Sequence, residues 1–321
     1  MNQRLMVGVG AGLAVAMLVV VALLNRLPET EPPVGEVSAV ESTTSVAPTS
    51  TVAPTPTETE AIDASTTSTT IPVPPASGVI VAATGVAGWS ADGAWFALGE
   101  GELPARMGET YAVVRIGDEV TSAVSGEVGN GCEFVDGARW VDGVIESTWG
   151  DNTALAVAAD WDVVPRDVEL LSNDSETYRA IVADALAEQG LANAVPVLRQ
   201  VIRADLEGDG VDEVIITAGH AGVFSGPDAA FEDGDYSIAL LRTVVDGEIE
   251  TSVLGFFRYD LDLDAPSIYL VTYRVGAVAD LNGDGRMEVA VNDRYYEGAG
   301  TVIYDVEGAE PRAVLDVGCG V

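Results

Sequence analysis

Two short acidic segments carry residue types, at a spacing, that could hold a hard divalent cation. In the first, Asp205, Glu207 and Asp209 stand at alternating positions, Gly210 supplies a sharp bend, Val211 offers its carbonyl and Glu213 closes the segment. In the second, Asp280, Asn282 and Asp284 alternate, Gly285 bends the chain, Arg286 offers its carbonyl and Glu288 closes. Alternating oxygen ligands, a glycine bend, a carbonyl and a final carboxylate are what a compact cation-binding loop needs. Irregular cages of about six to eight oxygens suit calcium better than magnesium. Neither segment holds Cys or His, which disfavours zinc. The twelfth position is Ile216 in one and Val291 in the other, so neither is a full EF-hand loop. The expectation is two calcium ions with a structural role. The alternative for each segment is a metal-free acidic turn, and Glu207 is long for its place.

The elements that must position these loops follow from a repeat. The segment 204–214 recurs 75 residues later as 279–289, and the surroundings match. Around the first copy, apolar runs at 197–204, 213–217, 237–245 and 248–256 predict four strands, with a turn at Asp246-Gly247. Around the second, runs at 268–279, 288–292, 301–305 and 312–317 predict four more, with a turn at Glu307-Gly308. Each copy reads as a four-stranded β-meander with the acidic loop between its first two strands. Before them, Tyr178, Ile181, Val182, Ala185 and Leu186 repeat with helical period, capped by Asp174 or Ser175 and ended by Gly190. Short β-rich runs such as 111–116 and 154–158 fill a smaller β-rich region, 79–167.

Composition narrows the function. The 321-residue chain has 15 Lys+Arg against 51 Asp+Glu, a net charge of −36, and every basic residue is Arg. A nucleic-acid binder needs a basic stripe, so none is expected. The lack of Lys removes Schiff-base chemistry and a P-loop phosphate lysine. Residues 5–24 are uncharged and mostly apolar, flanked by Arg4 and Arg26. Twenty residues at ~1.5 Å each span the ~30 Å hydrocarbon core, so they read as an uncleaved, single-pass membrane anchor; a cleaved signal peptide is the alternative. Residues 27–78, rich in Ser, Thr, Pro and Glu, cannot build a core and read as a disordered stalk. The organisation is thus a short cytoplasmic tail (1–4), a transmembrane anchor (5–24), the stalk (27–78), the β-rich region (79–167), a helix (173–190) and a two-copy calcium-loop β domain (195–321), with the globular part outside the cytoplasm.

In such a location two cysteines commonly pair, and Cys132 with Cys319 would staple the C-terminal end to the first β region; two separate buried thiols are the alternative. All five Trp (Trp89, Trp95, Trp140, Trp149 and Trp161) fall in that region, where they suit a core or a sugar-stacking platform. His220 reads as a loop residue, since no Gly-x-Ser-x-Gly elbow accompanies it. No catalytic residue stands out. The expected role is a non-catalytic binding or structural module at the cell surface, with an extracellular glycan or protein as partner. The alternative is a cell-envelope hydrolase acting on glycan or peptidoglycan with a carboxylate pair.

The run Asp280-Leu281-Asn282-Gly283-Asp284-Gly285, closed by Glu288 and followed by Val289-Ala290-Val291, resembles the calcium loop of FG-GAP/VCBS-type repeats. The stretches 294–301 and 317–320 are similar to an uncharacterised family of secreted or anchored bacterial proteins. The resemblance covers 195–321 and implies calcium-bound β-meanders outside the cytoplasm. Two copies fall short of the roughly four to eight blades of a propeller, and 75 residues exceeds a blade repeat of about 40–50. The expected fold is therefore mainly β with one helix, the meanders forming a partial, propeller-like domain.

Overall fold

Short runs of Val, Ile, Ala and aromatic residues, broken by Gly and Asp turns, form seventeen strands and one helix among the described residues of the computed structural model. The structure describes residues 77–145, 154–220, 232–259, 271–295 and 297–320, all within the compact unit Thr69–Val321. The expected tail and anchor, and the stalk up to residue 76, lie outside the described residues. Among the described residues no helix is long and apolar enough to cross a membrane.

The first nine strands are β1 (Ser77–Ala82), β2 (Gly85–Ala91), β3 (Ala94–Ala97), β4 (Thr110–Val114), β5 (Thr121–Val124), β6 (Val128–Asn130), β7 (Arg139–Val141), β8 (Leu155–Ala158) and β9 (Val168–Leu170). Helix α1 (Glu176–Glu188) follows, then β10 (Leu198–Ala204), β11 (Glu213–Gly219), β12 (Tyr236–Val245) and β13 (Glu248–Arg258). The last four are β14 (Thr272–Ala279), β15 (Glu288–Tyr295), β16 (Gly298–Asp305) and β17 (Arg312–Gly320). They build a six-stranded sheet in the order β3-β2-β1-β8-β4-β5, a five-stranded sheet β13-β12-β11-β10-β9, a four-stranded sheet β14-β15-β16-β17 and the pair β6-β7.

Side-chain alternation along the strands turns these sheets into layers. The four-stranded sheet lies in the middle. One of its faces (Val275, Val289, Val291) packs on Ile202, Ile215, Ala239 and Leu241 of the five-stranded sheet. Its other face, with Ala277, Ala279, Ala290, Ile303 and Leu315, packs on Ile80, Ala87, Leu155 and Val157 of the six-stranded sheet. The outer face of the five-stranded sheet is closed by Val182, Ala185 and Leu186 of α1. The outer face of the six-stranded sheet is closed by Val141, Val144 and Ile145. Because β15 is covered on both sides, Val289, Ala290 and Val291 run on as consecutive buried apolar residues rather than alternating with polar ones.

This arrangement corrects the propeller-like expectation. Closing a ring of blades requires the outermost sheets to pack on each other, whereas here helix α1 and the segment after β7 cover them. The sheets are also unequal, with six, five and four strands. The first meander is not four-stranded: β9 adds a fifth strand through Ile202↔Leu170 and Ala204↔Val168. The region before the helix forms the widest sheet and an outer layer of the same stack. Strand β1 starts at Ser77, inside the range expected for the stalk.

Helix α1 begins where Ser175 accepts a hydrogen bond from the Tyr178 amide at 3.5 Å, and ends before Gly190. Burying Val182 and Leu186 contributes roughly 1.5–3 kcal/mol each. Between the five- and four-stranded sheets, buried Gln200 donates from Nε2 to the Val275 carbonyl at 3.0 Å and accepts from the Val275 amide at 2.9 Å. It thereby satisfies backbone that the irregular pairing around Gly276 leaves open.

Candidate metal-binding loops

The two acidic segments fold alike. Each joins the first two strands of its copy, β10 to β11 and β14 to β15. Asp205 Oδ1 accepts from the Gly208 amide at 2.7 Å and the Asp209 amide at 3.1 Å, while Oδ2 accepts from the Gly210 amide at 3.1 Å. Asp280 Oδ1 accepts from the Gly283 amide at 2.7 Å and the Asn282 amide at 3.3 Å, while Oδ2 accepts from the Gly285 amide at 3.0 Å. The glycines have φ of 78° and 86° in the first loop and 77° and 86° in the second, a left-handed region that Gly occupies without strain. Asp209 and Asp284 each take the amide two residues on, that of Val211 and that of Arg286, at 2.8 Å. The closing acids also match: Glu213 Oε2 accepts from the Leu206 amide and Glu288 Oε2 from the Leu281 amide, both at 2.8 Å.

The loops differ in their third position and in their closing acid. Glu207 turns out of the first loop, and its Oε1 accepts from the Gly308 amide at 2.7 Å, in the turn between β16 and β17. Asn282 stays within the second loop, accepting from the Asp284 amide at 2.9 Å and donating to Asp284 Oδ2 at 3.2 Å. Glu288 is 1% exposed, and its Oε1 is buried with no hydrogen-bond partner among the described residues. Burial, with the charges of Asp284, Asp280 and Asp305 added, pushes the Glu288 carboxyl up to about 9. Burial pushes Glu213 up to about 7. Asp280 is also raised, chiefly by burial.

The donor set is all oxygen, and the second loop contains a buried carboxylate oxygen that nothing described satisfies, so its residues fit a hard cation. They are not drawn into a finished cage: among the described residues no group of three or more His, Cys, Asp or Glu has metal-holding geometry. The carboxylates are spent on loop amides instead, which an incoming cation could share, since each oxygen has a second lone pair.

Residues that sequence spacing missed fasten the two loops side by side. Arg166, in the connection from β8 to β9, donates from Nε to the Asp205 carbonyl at 2.5 Å and from Nη2 to the Leu206 carbonyl at 2.9 Å. Its Nη1 reaches the Gly285 carbonyl at 2.7 Å. The Met287 amide adds a direct bond to the Leu206 carbonyl at 2.8 Å. In the same connection Trp161 Nε1 donates to the Asp280 carbonyl at 2.9 Å, and the ring lies over Gly283. Ser90 Oγ donates to the Leu281 carbonyl at 2.8 Å. The only sequence cue to Arg166 was its rarity as a cation in an acidic chain.

The other singled-out residues are placed as follows. The sulfurs of Cys132 and Cys319 are 2.00 Å apart, at disulfide-bonding distance, and join the turn after β6 to β17. Trp89 stacks on Phe96 at 5.5 Å between ring centres, and Trp140 packs against the same core. Trp95 and Trp161 belong to the core between the six- and four-stranded sheets, so these four indoles form no shared platform. Trp149 lies outside the described residues. His220 Nδ1 is 2.9 Å from Oδ1 of buried Asp235.

No protein-family model, curated protein or solved structure matches the chain.

Proposed function

We propose that the chain is a membrane-anchored, extracytoplasmic β module, non-catalytic, that binds or scaffolds at the cell surface and is locked by calcium at its acidic loops. The observation that carries the calcium reading is Glu288 Oε1, a buried carboxylate oxygen without a hydrogen-bond partner among the described residues, beside Asp280 and Asp284. An unsatisfied buried acceptor costs about 1–3 kcal/mol, more when charged, and a cation at the second loop removes that cost. The ligands there are the side chains of Asp280, Asn282, Asp284 and Glu288 with the Arg286 carbonyl. In the first loop they are Asp205, Asp209, Glu213 and the Val211 carbonyl; Glu207, bonded to Gly308, must turn back to join them. The first site is the weaker of the two.

A disulfide between Cys132 and Cys319 suits an oxidising compartment, in keeping with the location read from residues 5–24. The hydrolase alternative gains no support from the tryptophans, since Trp89, Trp95, Trp140 and Trp161 serve the cores.

Calorimetric titration of the full chain with calcium tests the reading. Saturable binding is expected, lost at the stronger site in Asp280→Ala and at the weaker site in Asp205→Ala. Absence of binding heat at millimolar calcium, or binding untouched by Asp280→Ala, refutes it.

A further inference from the structure

Resting on the cation reading of the second loop, we propose that Asp305 is a further ligand of that cation, entering from β16, outside the loop. The register places it there. Val289 pairs with Tyr304, so the next step along β15 and β16 sets Glu288 opposite Asp305. Directly opposed residues in an antiparallel pair have Cβ atoms about 4.5–5.5 Å apart.

Two carboxyl groups in such a pair cannot both carry charge without cost unless something positive lies between them. Both are buried, at 1% exposed for Glu288 and 5% for Asp305. One oxygen of each, Glu288 Oε1 and Asp305 Oδ1, has no hydrogen-bond partner among the described residues. Two such oxygens on opposed residues are not explained by packing.

The surrounding arginines show where positive charge is wanted. Arg286 Nη2 is 3.0 Å from Asp284 Oδ2 and 3.7 Å from Asp305 Oδ1, so one point lies between a loop carboxylate and the β16 carboxylate. Arg312 Nη2 donates to Asp305 Oδ2 at 2.7 Å, which fixes the carboxylate and leaves Oδ1 turned toward that point. Arg286 Nη1 is 3.4 Å from Glu307 Oε2, an exposed alternative partner for the guanidinium when a cation takes its place. The first loop lacks this extra carboxylate: Val214 pairs with Arg242, so one step further along the register Glu213 faces Thr243. Asp305 therefore sets the second loop apart as the tighter site.

The test is terbium and calcium binding to the full chain. Terbium luminescence lifetimes in H2O and D2O count the water molecules on the ion, and calcium competition gives its affinity. Asp305→Ala, which removes both side-chain oxygens, is expected to weaken calcium at the stronger site by at least about 10-fold, the low end of what losing even a supporting partner costs. Asp305→Ala is also expected to add about one bound water, as the loss of a direct ligand requires. Unchanged affinity and hydration overturn the proposal. Weaker binding with unchanged hydration also overturns it, making Asp305 a supporting charge rather than a ligand. If the unsubstituted chain binds nothing, the cation reading itself fails, a result distinct from the other two. Should Asp305→Ala not fold by circular dichroism, Asp305→Leu, close in size and without a side-chain oxygen, serves the same comparison.

Discussion

Arg166 donates to the Gly285 carbonyl at 2.7 Å while its other two nitrogens hold the carbonyls of Asp205 and Leu206. One guanidinium thus spans two loops that belong to different sheets, and it does so from a connection that belongs to neither. It supplies positive charge where both loops bring carboxylates together.

Removing that clamp should loosen the stack. Hydrogen bonds from a charged donor are worth about 1.5–3 kcal/mol each, and the orphaned carbonyls regain only part of this from water. Arg166→Met is expected to lower unfolding free energy by on the order of 2–4 kcal/mol, measured by urea denaturation in calcium and in chelator. A change below about 0.5 kcal/mol shows the clamp to be incidental.

Stability should also depend on pH through Asp293, which pairs in register with Tyr273 and Gly300. Burial, with the charge of Asp316 added, pushes its carboxyl up to about 6 from 3.8. The folded state holds this proton more tightly than the unfolded state does. Its contribution is complete below about pH 4 and is lost as pH rises to about 6. Asp293→Asn is expected to flatten that interval, by on the order of 1–2 kcal/mol between pH 4 and 6 after allowance for partial solvent screening. Urea midpoints across this range check it; parallel slopes for the two proteins contradict it.

The cysteine pair makes a separate prediction. Its residues are 187 positions apart, and Cys319 also pairs with Ala299 at the edge of the middle sheet. On the chain-entropy relation a loop of that length stabilises by about 4–5 kcal/mol. Cys132→Ser is expected to lower the melting temperature by roughly 8–20 °C, at about 2–4 °C per kcal/mol. It should also speed hydrogen exchange at the β17 amides. An unchanged melting temperature and unchanged exchange rule out a structural bond.

Local features were legible in the sequence, and those set by distant pairing were not. The 75-residue repeat located both loops and the strands beside them because strand, glycine bend and strand are neighbours in the chain. Period and capping located α1, and Ser175 is the one of the two offered caps that the helix uses. By contrast, β8 sits between β1 and β4, an order no local pattern encodes, and β9 is too short to alternate visibly. Trp161 and Arg166 reach the loops from a stretch without periodicity. Asp305 faces Glu288 only through the β15–β16 register, and Glu207 leaves its loop for a turn 101 residues away. The propeller-like expectation failed for the same reason: matching copies show matching strands, but what covers each sheet's outer face depends on the whole stack.

The central claim is tested most directly by thermal melting of the full chain and of Glu288→Gln, each in millimolar calcium and in chelator. For the unsubstituted chain a calcium-dependent rise of several degrees is expected, about 2.7 kcal/mol when calcium is at 100 times the dissociation constant. Glu288→Gln should lose most of this rise, because the amide cannot supply the carboxylate that closes the second loop. Identical melting in calcium and chelator, or an undiminished rise in Glu288→Gln, would contradict a cation lock at these loops.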